Sequence, residues 1–155
     1  MNIPKPLLAE VFKHAESEYP RECCGVILGR RGDVEALTRV IPCENIQEIS
    51  ADKDAAKPSF SARHAYRIDP SQLLTIQKEN RKTDERIAVF YHSHPDSPPV
   101  LSRRDMEMAC PVGRPLYPDV WYLVVSVQNA AVISWRVFRW DPVTKTYDAQ
   151  GQTDC

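Results

Sequence analysis

Apolar residues near the N-terminus recur every three or four positions, which is the spacing of one helical face. They are Leu7, Leu8, Val11, Phe12 and Ala15. Two prolines precede them and Pro20 follows them, and proline is typical of helix boundaries. The pattern therefore predicts a first amphipathic helix that ends before Pro20.

Further along the chain, the apolar pattern changes to that of strands. Cys24–Leu28 is a β-branched-rich run, and the turn residues Gly29–Asp33 separate it from the roughly alternating stretch Val34–Ile41. This arrangement predicts a hairpin. Glu44–Pro58 is polar and lacks periodicity, which predicts a surface loop. Phe60–Ile68 alternates and predicts another strand.

The second half of the chain predicts a helix, a central strand and a hairpin. Asp69 precedes Pro70, which is typical of an N-cap, and the helix is predicted to reach about Lys82. Ile87–Tyr91 is a continuous apolar run, typical of a strand buried on both faces. The other predicted elements are a short helix from near Ser102 and two strands, Val120–Val127 and Ala131–Trp140, joined at Gln128-Asn129.

The order of these elements predicts an α+β fold, in which a mixed β-sheet is flanked by layers of helices. The chain has 155 residues, which is the size of one domain. We predict a single domain over residues 1–142, followed by a C-terminal tail over residues 143–155. A chain of this length can bury a sufficient core without disulfides.

Composition and charge narrow the class of protein. The chain is 43% hydrophobic and 26% charged, as soluble globular proteins are. Its net charge of -1 gives no electrostatic indication of a nucleic acid or a membrane as partner. The five cysteines form a poor disulfide framework, because their number is odd and two are adjacent. Without a signal-peptide pattern or a long apolar run, we expect a reduced, cytoplasmic protein.

Two histidines follow the predicted central strand. His92 and His94 are two positions apart, and alternate residues of an extended strand point to the same side. Catalytic zinc sites typically combine three protein ligands with a water, so a third ligand is required. Asp96 and Asp105 are both candidates. A lone His-x-His pair is also common as ordinary polar residues at a strand end.

Ser102 and Asp105 lie three residues apart at the start of the predicted short helix, so their side chains share a face. Considered alone, this pair is better interpreted as a helix capping box. Glu22 precedes the first predicted strand. Considered alone, it is better interpreted as a solvated carboxylate, and the alternative is a general base beside a metal site.

The combination of these residues resembles a known family. Glu22, the tetrapeptide His92–Pro95, and the spacing to Ser102 and Asp105 are similar to the motif of the JAMM (MPN+) metalloproteases, also called the Mov34/MPN/PAD-1 family. The resemblance covers most of the chain and is strongest with the short, single-domain bacterial members. It selects Asp105 over Asp96 as the third ligand.

This resemblance implies a cytidine-deaminase-like JAMM/MPN fold and a catalytic zinc ion, Zn2+. The implied metal ligands are His92, His94 and Asp105. Glu22 is the implied general base, and the Ser102 hydroxyl is the implied donor to the oxyanion.

For function, the resemblance implies a zinc-dependent peptidase or isopeptidase. Its substrate is a ubiquitin-like or sulfur-carrier protein, in which a zinc-activated water hydrolyses the amide bond at the C-terminal Gly-Gly. The alternative is a non-catalytic MPN scaffold, but metal-free members have lost ligands that this chain retains. A zinc deaminase is disfavoured because the His-x-Glu and Pro-Cys-x-x-Cys signatures are absent.

Four other reactive residues are predicted to have no catalytic role. Cys23 and Cys24 flank Glu22, and we predict that they are small buried residues rather than ligands or nucleophiles. His14 and His64 have no evident partner in the sequence and are predicted to lie on the surface.

Overall fold

The computed structural model of the protein describes residues 1–33, 35–47 and 61–154. Within these ranges there are three helices and six strands. They are α1 (Lys5–Glu18), β1 (Cys24–Arg30), β2 (Leu37–Cys43), α2 (Pro70–Asn80), β3 (Glu85–Pro95), α3 (Arg103–Ala109), β4 (Trp121–Gln128), β5 (Ala131–Asp141) and β6 (Thr146–Asp154). None of the described helices has the length and apolar character that crossing a bilayer requires.

The six strands form one sheet in the order β2-β1-β3-β4-β5-β6. β3 and β4 run parallel, and every other neighbouring pair is antiparallel. Parallel neighbours need a crossover connection, and residues 96–120 supply it and carry α3. The mixed sheet with flanking helices confirms the predicted α+β class.

Alternation along the strands divides the buried side chains between two faces of the sheet. The α1 face packs beneath α1 and is mainly aliphatic. Its members include Leu7, Val11, Ala15, Ile27, Val89, Tyr91, Leu123 and Val125. The aromatic face packs against α2 and α3. Its members include Tyr66, Phe90, Tyr122, Phe138 and Tyr147.

Most predicted elements are confirmed to within a few residues, but β3 is longer than predicted. Its pairing continues through both histidines to Pro95, because β4 pairs with this end of the strand, whereas β1 pairs with it only as far as His92. The turn between β4 and β5 also lies one residue later than predicted. Asn129 and Ala130 have φ values of 51° and 60°, the left-handed conformation typical of a tight hairpin turn.

The strand predicted over Phe60–Ile68 is wrong for its described part, residues 61–68, which makes only an isolated bridge from Ile68 to Asn45. The backbone of this segment makes hydrogen bonds outside the sheet. The Ala62 carbonyl, for example, accepts the Glu22 N–H at 2.7 Å. The buried residues of this segment are Ala62, Ala65 and Tyr66, whose spacing is not the period of two that a strand requires. Most of the predicted loop Glu44–Pro58, residues 48–58, lies outside the described residues.

The segment predicted as a C-terminal tail, residues 143–155, contains a strand that the sequence analysis did not predict. Thr146–Asp154 forms β6, which pairs with β5 in a register that places Tyr147 opposite Trp140. Tyr147 is buried against Tyr122 of the aromatic face. The sequence hides this strand because an edge strand with a polar outer side needs few apolar residues.

Candidate active site

The two predicted histidine ligands lie side by side at the end of β3. His92 and His94 project from the aromatic face, as their two-residue spacing requires. Their Nε2 atoms are 3.1 Å apart. His92 is fully buried and His94 is 7% exposed. The central position of β3 therefore holds both imidazoles in a water-poor environment.

Asp105 reaches the same point from the start of α3. The Ser102 Oγ accepts the Asp105 N–H at 3.2 Å, and the Asp105 Oδ2 accepts the Ser102 N–H at 2.7 Å. The capping box is therefore present, and it also directs the carboxylate inwards. Asp105 Oδ2 lies 3.5 Å from the Nε2 of His92 and of His94.

The rival ligand Asp96 faces a different direction. Its carboxylate accepts hydrogen bonds from the Tyr19 hydroxyl at 3.1 and 3.2 Å, and it pairs with Arg63 at 3.1 Å. Asp96 is not part of the metal-competent cluster that the structure brings together. The geometry therefore favours Asp105 as the third ligand.

The donor set fits a divalent metal ion. One ligand atom from each of His92, His94 and Asp105 lies within 4.8 Å of the others. His94 Nδ1 is 3.1 Å from the Pro98 carbonyl, which can only accept, so Nδ1 carries the proton and Nε2 presents a lone pair. A cation between the three groups would satisfy lone pairs that have no protein donor of their own. Two imidazole nitrogens and one carboxylate oxygen are ligands that zinc accepts.

At Asp105 and His92, electrostatics favour the protonation states that bind metal. At His94, burial lowers the pKa, but Asp105 and Glu22 overcome this and raise it above its ordinary value. Burial raises the pKa of the Asp105 carboxyl, but His92, His94 and the Ser102 hydrogen bond overcome this and hold it below its ordinary value. Burial lowers the pKa of His92, although Asp105 opposes the shift. A carboxylate and a neutral imidazole are the forms that coordinate a metal.

Glu22 lies beside this cluster, just before β1. The register of β1 with β3 pairs Cys24 with His92, so continuing it by two residues brings Glu22 opposite His94. Glu22 is 5% exposed. Burial raises its pKa to about 8, His94 opposes the shift, and Asp105 adds to it. Glu22, His94, Ser102 and Asp105 all line one cavity of about 220 Å³.

Three supporting residues escaped the sequence analysis. The Tyr66 ring stacks on His92 with centroids 4.4 Å apart. Asn45 donates to the Glu22 carbonyl at 2.9 Å, and the Ser93 hydroxyl accepts the Cys23 N–H at 2.8 Å. Ser93 could have been found, because period-two alternation places it on the face of the sheet opposite to the histidines. Asn45 lies in a segment without periodicity, and Tyr66 lies in a segment whose alternation predicts a strand, so neither gave a comparable signal.

The predictions for the other reactive side chains have mixed outcomes. Cys23 and Cys24 are buried, which is confirmed, and burial raises the pKa of the Cys23 thiol to about 12. His64 is exposed as predicted, although it also lines the cavity. The prediction for His14 is wrong: its Nδ1 lies 2.9 Å from the hydroxyl of Tyr91, on a partly buried side chain.

Comparison with known proteins agrees with this geometry. The family described as prokaryotic homologs of the JAB domain matches residues 4–138. The chain belongs to this family. The resemblance inferred from the motif is therefore confirmed, and the histidine-aspartate cluster and Glu22 lie within the matched JAB-domain range.

Individual members of the family show the same relationship. The desampylase of Haloferax volcanii is 32% identical over 120 residues, which cover 77% of this chain and 73% of the relative. The CysO-cysteine peptidase of Mycobacterium tuberculosis is 29% identical over 127 residues, covering 82% and 73%. The solution structure of a Desulfitobacterium hafniense protein superposes with a TM-score of 0.68 at 26% identity, covering 94% of this chain and 86% of that one.

Proposed function

We propose that the protein is a zinc-dependent peptidase that cleaves the amide bond after the C-terminal Gly-Gly of a ubiquitin-like or sulfur-carrier protein. The observation that carries this proposal is the convergence of the three ligand atoms within 4.8 Å, with Glu22 on the same cavity. The names of the two relatives, a desampylase and a CysO-cysteine peptidase, support a substrate of this class.

In this proposal His92, His94 and Asp105 hold zinc, which when bound supplies the Lewis acidity that acidifies water and polarises a carbonyl. Glu22 accepts a proton from the attacking water and returns it to the leaving amine. A base is most effective when its pKa lies near the working pH, and burial raises that of Glu22 to about 8.

Ser102 is placed to stabilise the oxyanion. Its Oγ accepts the Asp105 N–H, so its own hydroxyl proton is not used in that hydrogen bond. The hydroxyl also borders the cavity that contains Glu22 and His94. Loss of an oxyanion donor typically lowers turnover by about 10²–10³.

A non-catalytic scaffold is the alternative, and the buried acid argues against it. A binding module gains nothing from a carboxyl group that is 5% exposed and costly to ionise. We also assign the reaction to the cytoplasm. The four cysteines of the described residues are free, which suits a reducing compartment.

The proposal is tested with a carrier protein that ends in Gly-Gly followed by a short extension. The wild type with zinc should release the extension, and mass spectrometry should place the cut directly after Gly-Gly. Glu22→Gln should retain zinc and lower the rate by about 10²–10⁴. An intact carrier together with efficient cutting of unrelated peptides would overturn the substrate assignment. Near-wild-type turnover by Glu22→Gln would overturn the assignment of Glu22 as the general base.

Variants of Ser102 separate its two roles. Ser102→Ala removes both the cap and the hydroxyl, so it should lower turnover and also cost about 1 kcal/mol of stability. Ser102→Asp keeps a cap acceptor but, when ionised, has no proton to donate to the oxyanion. It should therefore regain the stability, measured by chemical denaturation, without regaining the wild-type turnover.

A further inference from the structure

The segment Ala62–Ala65 lies beside Glu22, and both of its ends are held by hydrogen bonds. The Ala62 carbonyl accepts the Glu22 N–H at 2.7 Å, and the Ala65 carbonyl accepts Asn45 Nδ2 at 3.1 Å. Both alanines are buried, at 0% and 3% exposure. The intervening residues, Arg63 and His64, are exposed and line the cavity that contains Glu22.

Arg63, in the lining of this cavity, is about half exposed and is paired with a carboxylate. Its Nη2 lies 3.1 Å from Asp96 Oδ2. Asp96 is itself fixed, because its N–H donates to the Val127 carbonyl at 2.8 Å and its carboxylate accepts the Tyr19 hydroxyl. A guanidinium has five N–H donors in a planar fork, and one Nη2 contact with Asp96 leaves others for a second carboxylate.

The cavity lining therefore combines both signs of charge. Glu22 and Asp105 belong to this lining, and so does the cationic Arg63. The cavity has a volume of about 220 Å³, which is enough room for several water molecules or a small polar group.

Peptide hydrolysis at the carboxyl side of Gly-Gly creates an amine at the position where Glu22 returns its proton. If the leaving group is a single amino acid, its α-carboxylate is one carbon away from that amine. An isopeptide-linked lysine has no carboxylate near its Nε. A cation in the lining of the same cavity as the base therefore discriminates between these two leaving groups.

We propose that Arg63 is a specificity-determining residue that binds the free α-carboxylate of the leaving amino acid. The inference rests on the proposed peptidase function and names its leaving-group class. The preferred substrate is a carrier protein that ends in Gly-Gly plus one amino acid with a free C-terminus. Asp96 positions Arg63, and Tyr19 positions Asp96.

The test compares three substrates that share one carrier: Gly-Gly-Ala with a free carboxylate, the same sequence with a C-terminal carboxamide, and Gly-Gly joined to the Nε of lysine. The wild type should cleave the free acid with a kcat/KM about 10- to 100-fold above that of the carboxamide, the range expected for a charge-assisted hydrogen bond. Most of the difference should lie in KM. Arg63→Gln should lower kcat/KM for the acid to the carboxamide level and leave the carboxamide unchanged.

Two variants serve as controls. Arg30→Gln removes an exposed cation at the opposite end of β1 and should leave the preference for the acid intact. Arg63→Lys keeps the positive charge but lacks the planar guanidinium, so it should retain part of the preference for the free acid over the carboxamide.

The outcomes are distinct. An equal fall for acid and carboxamide in Arg63→Gln would show that the residue acts only as a structural clamp through Asp96, and would overturn the inference. Equal wild-type cleavage of all three substrates would do the same while leaving the peptidase proposal intact. Failure of the wild type to cut any of the three would overturn the peptidase proposal itself.

Discussion

Tyr91 and His92 are adjacent on β3 and each buries a polar group, on opposite faces of the sheet. The two groups differ in their hydrogen-bond partners. Tyr91 points to the α1 face, where its hydroxyl lies 2.9 Å from His14 Nδ1. His92 points to the aromatic face, where its Nδ1 is buried and has no hydrogen-bond partner among the described residues. Its Nε2 faces a second imidazole and a carboxylate. The Tyr91 hydroxyl therefore has a partner within the fold. His92 keeps Nδ1 unpaired and presents Nε2 to the metal-competent cluster.

This difference indicates which side of the sheet provides stability and which provides chemistry. Buried polar groups are normally paired, so an unpaired one is a cost that the rest of the fold must offset. The burial of Glu22 adds a second cost at the same end of the aromatic face. Substitutions on the aromatic face should therefore mainly change metal content and activity, whereas substitutions on the α1 face should mainly change stability.

The largest expected effect is loss of metal from the aromatic face. Protein purified without added metal should contain about one zinc ion per chain, as a three-ligand site implies. His92→Ala or Asp105→Ala should lose the zinc and all measurable peptidase activity, because two ligands cannot hold the ion tightly. Tyr91→Phe, one residue away on the α1 face, should retain it. Full metal content in both ligand variants would disprove the ligand assignment.

The next effect is the pH dependence of stability in metal-free protein. Burial raises the pKa of Glu22 from 4.5 to about 8. The folded state therefore keeps a proton that the unfolded state releases, and the stabilisation is lost as pH rises from about 4.5 through 8. Glu22→Gln does not titrate, so its advantage in free energy of unfolding should grow from near zero at pH 4 to on the order of 4 kcal/mol at pH 9.

Urea unfolding in the presence of a chelator measures this difference. Parallel pH profiles for the wild type and Glu22→Gln would show that Glu22 ionises freely in the folded state, contrary to the structure. Repeating the titration with zinc should narrow the difference, because a cation near the carboxyl favours its charged form.

A steric prediction concerns the α1 face. A Cβ atom at Gly25 would overlap the ring of Tyr91 and lie 2.6 Å from the Ile41 carbonyl oxygen. Neither a buried ring nor a strand backbone can move away cheaply, so Gly25→Ala should destabilise the protein by about 3 kcal/mol. Gly29→Ala, on the same strand with nearest contacts at 3.1 Å, is the matched control and should cost less. Equal unfolding midpoints for the two variants would contradict this explanation.

The smallest expected effect concerns the satisfied pair on the α1 face. Tyr91→Phe removes the hydroxyl that meets His14 and should cost about 1 kcal/mol, the usual net value of one hydrogen bond. In a double-mutant cycle with His14→Ala, the two losses should not add, because each removes the same interaction. Additive losses in thermal or chemical unfolding would show that the contact contributes nothing.

Much of this fold could be predicted because its signals are local. The run Ile87–Tyr91 identified the central strand, and the spacing of His92 and His94 placed both side chains on one face. Asp69 caps α2 by accepting the Ser71 N–H, as its sequence suggested. The choice of Asp105 over Asp96 needed the family motif, because periodicity does not show how a proline-rich loop turns.

The errors arose where a long-range contact decides the structure. Residues 61–68 alternate like a strand, yet Glu22 and Asn45 hold their backbone in a different conformation. β6 was missed because Tyr147 is its main buried anchor, and one aromatic residue in a polar stretch is a weak signal. The partner of His14 is 77 positions away in the chain. The catalytic roles of Glu22 and Ser102 stay predictions.

The parallel pairing of β3 and β4 also sets the order in which the protein can assemble. The chain must leave one end of the sheet after Pro95 and return to the other end before Trp121, so this pair closes a loop before its contacts offset the lost chain entropy. Asp105 lies within that loop, whereas the histidines lie on β3. The three proposed ligands therefore meet only once the crossover has closed, and we expect any zinc to enter in a late phase of refolding. A chelator added during refolding should then alter the slowest kinetic phase and leave the earlier phases unchanged.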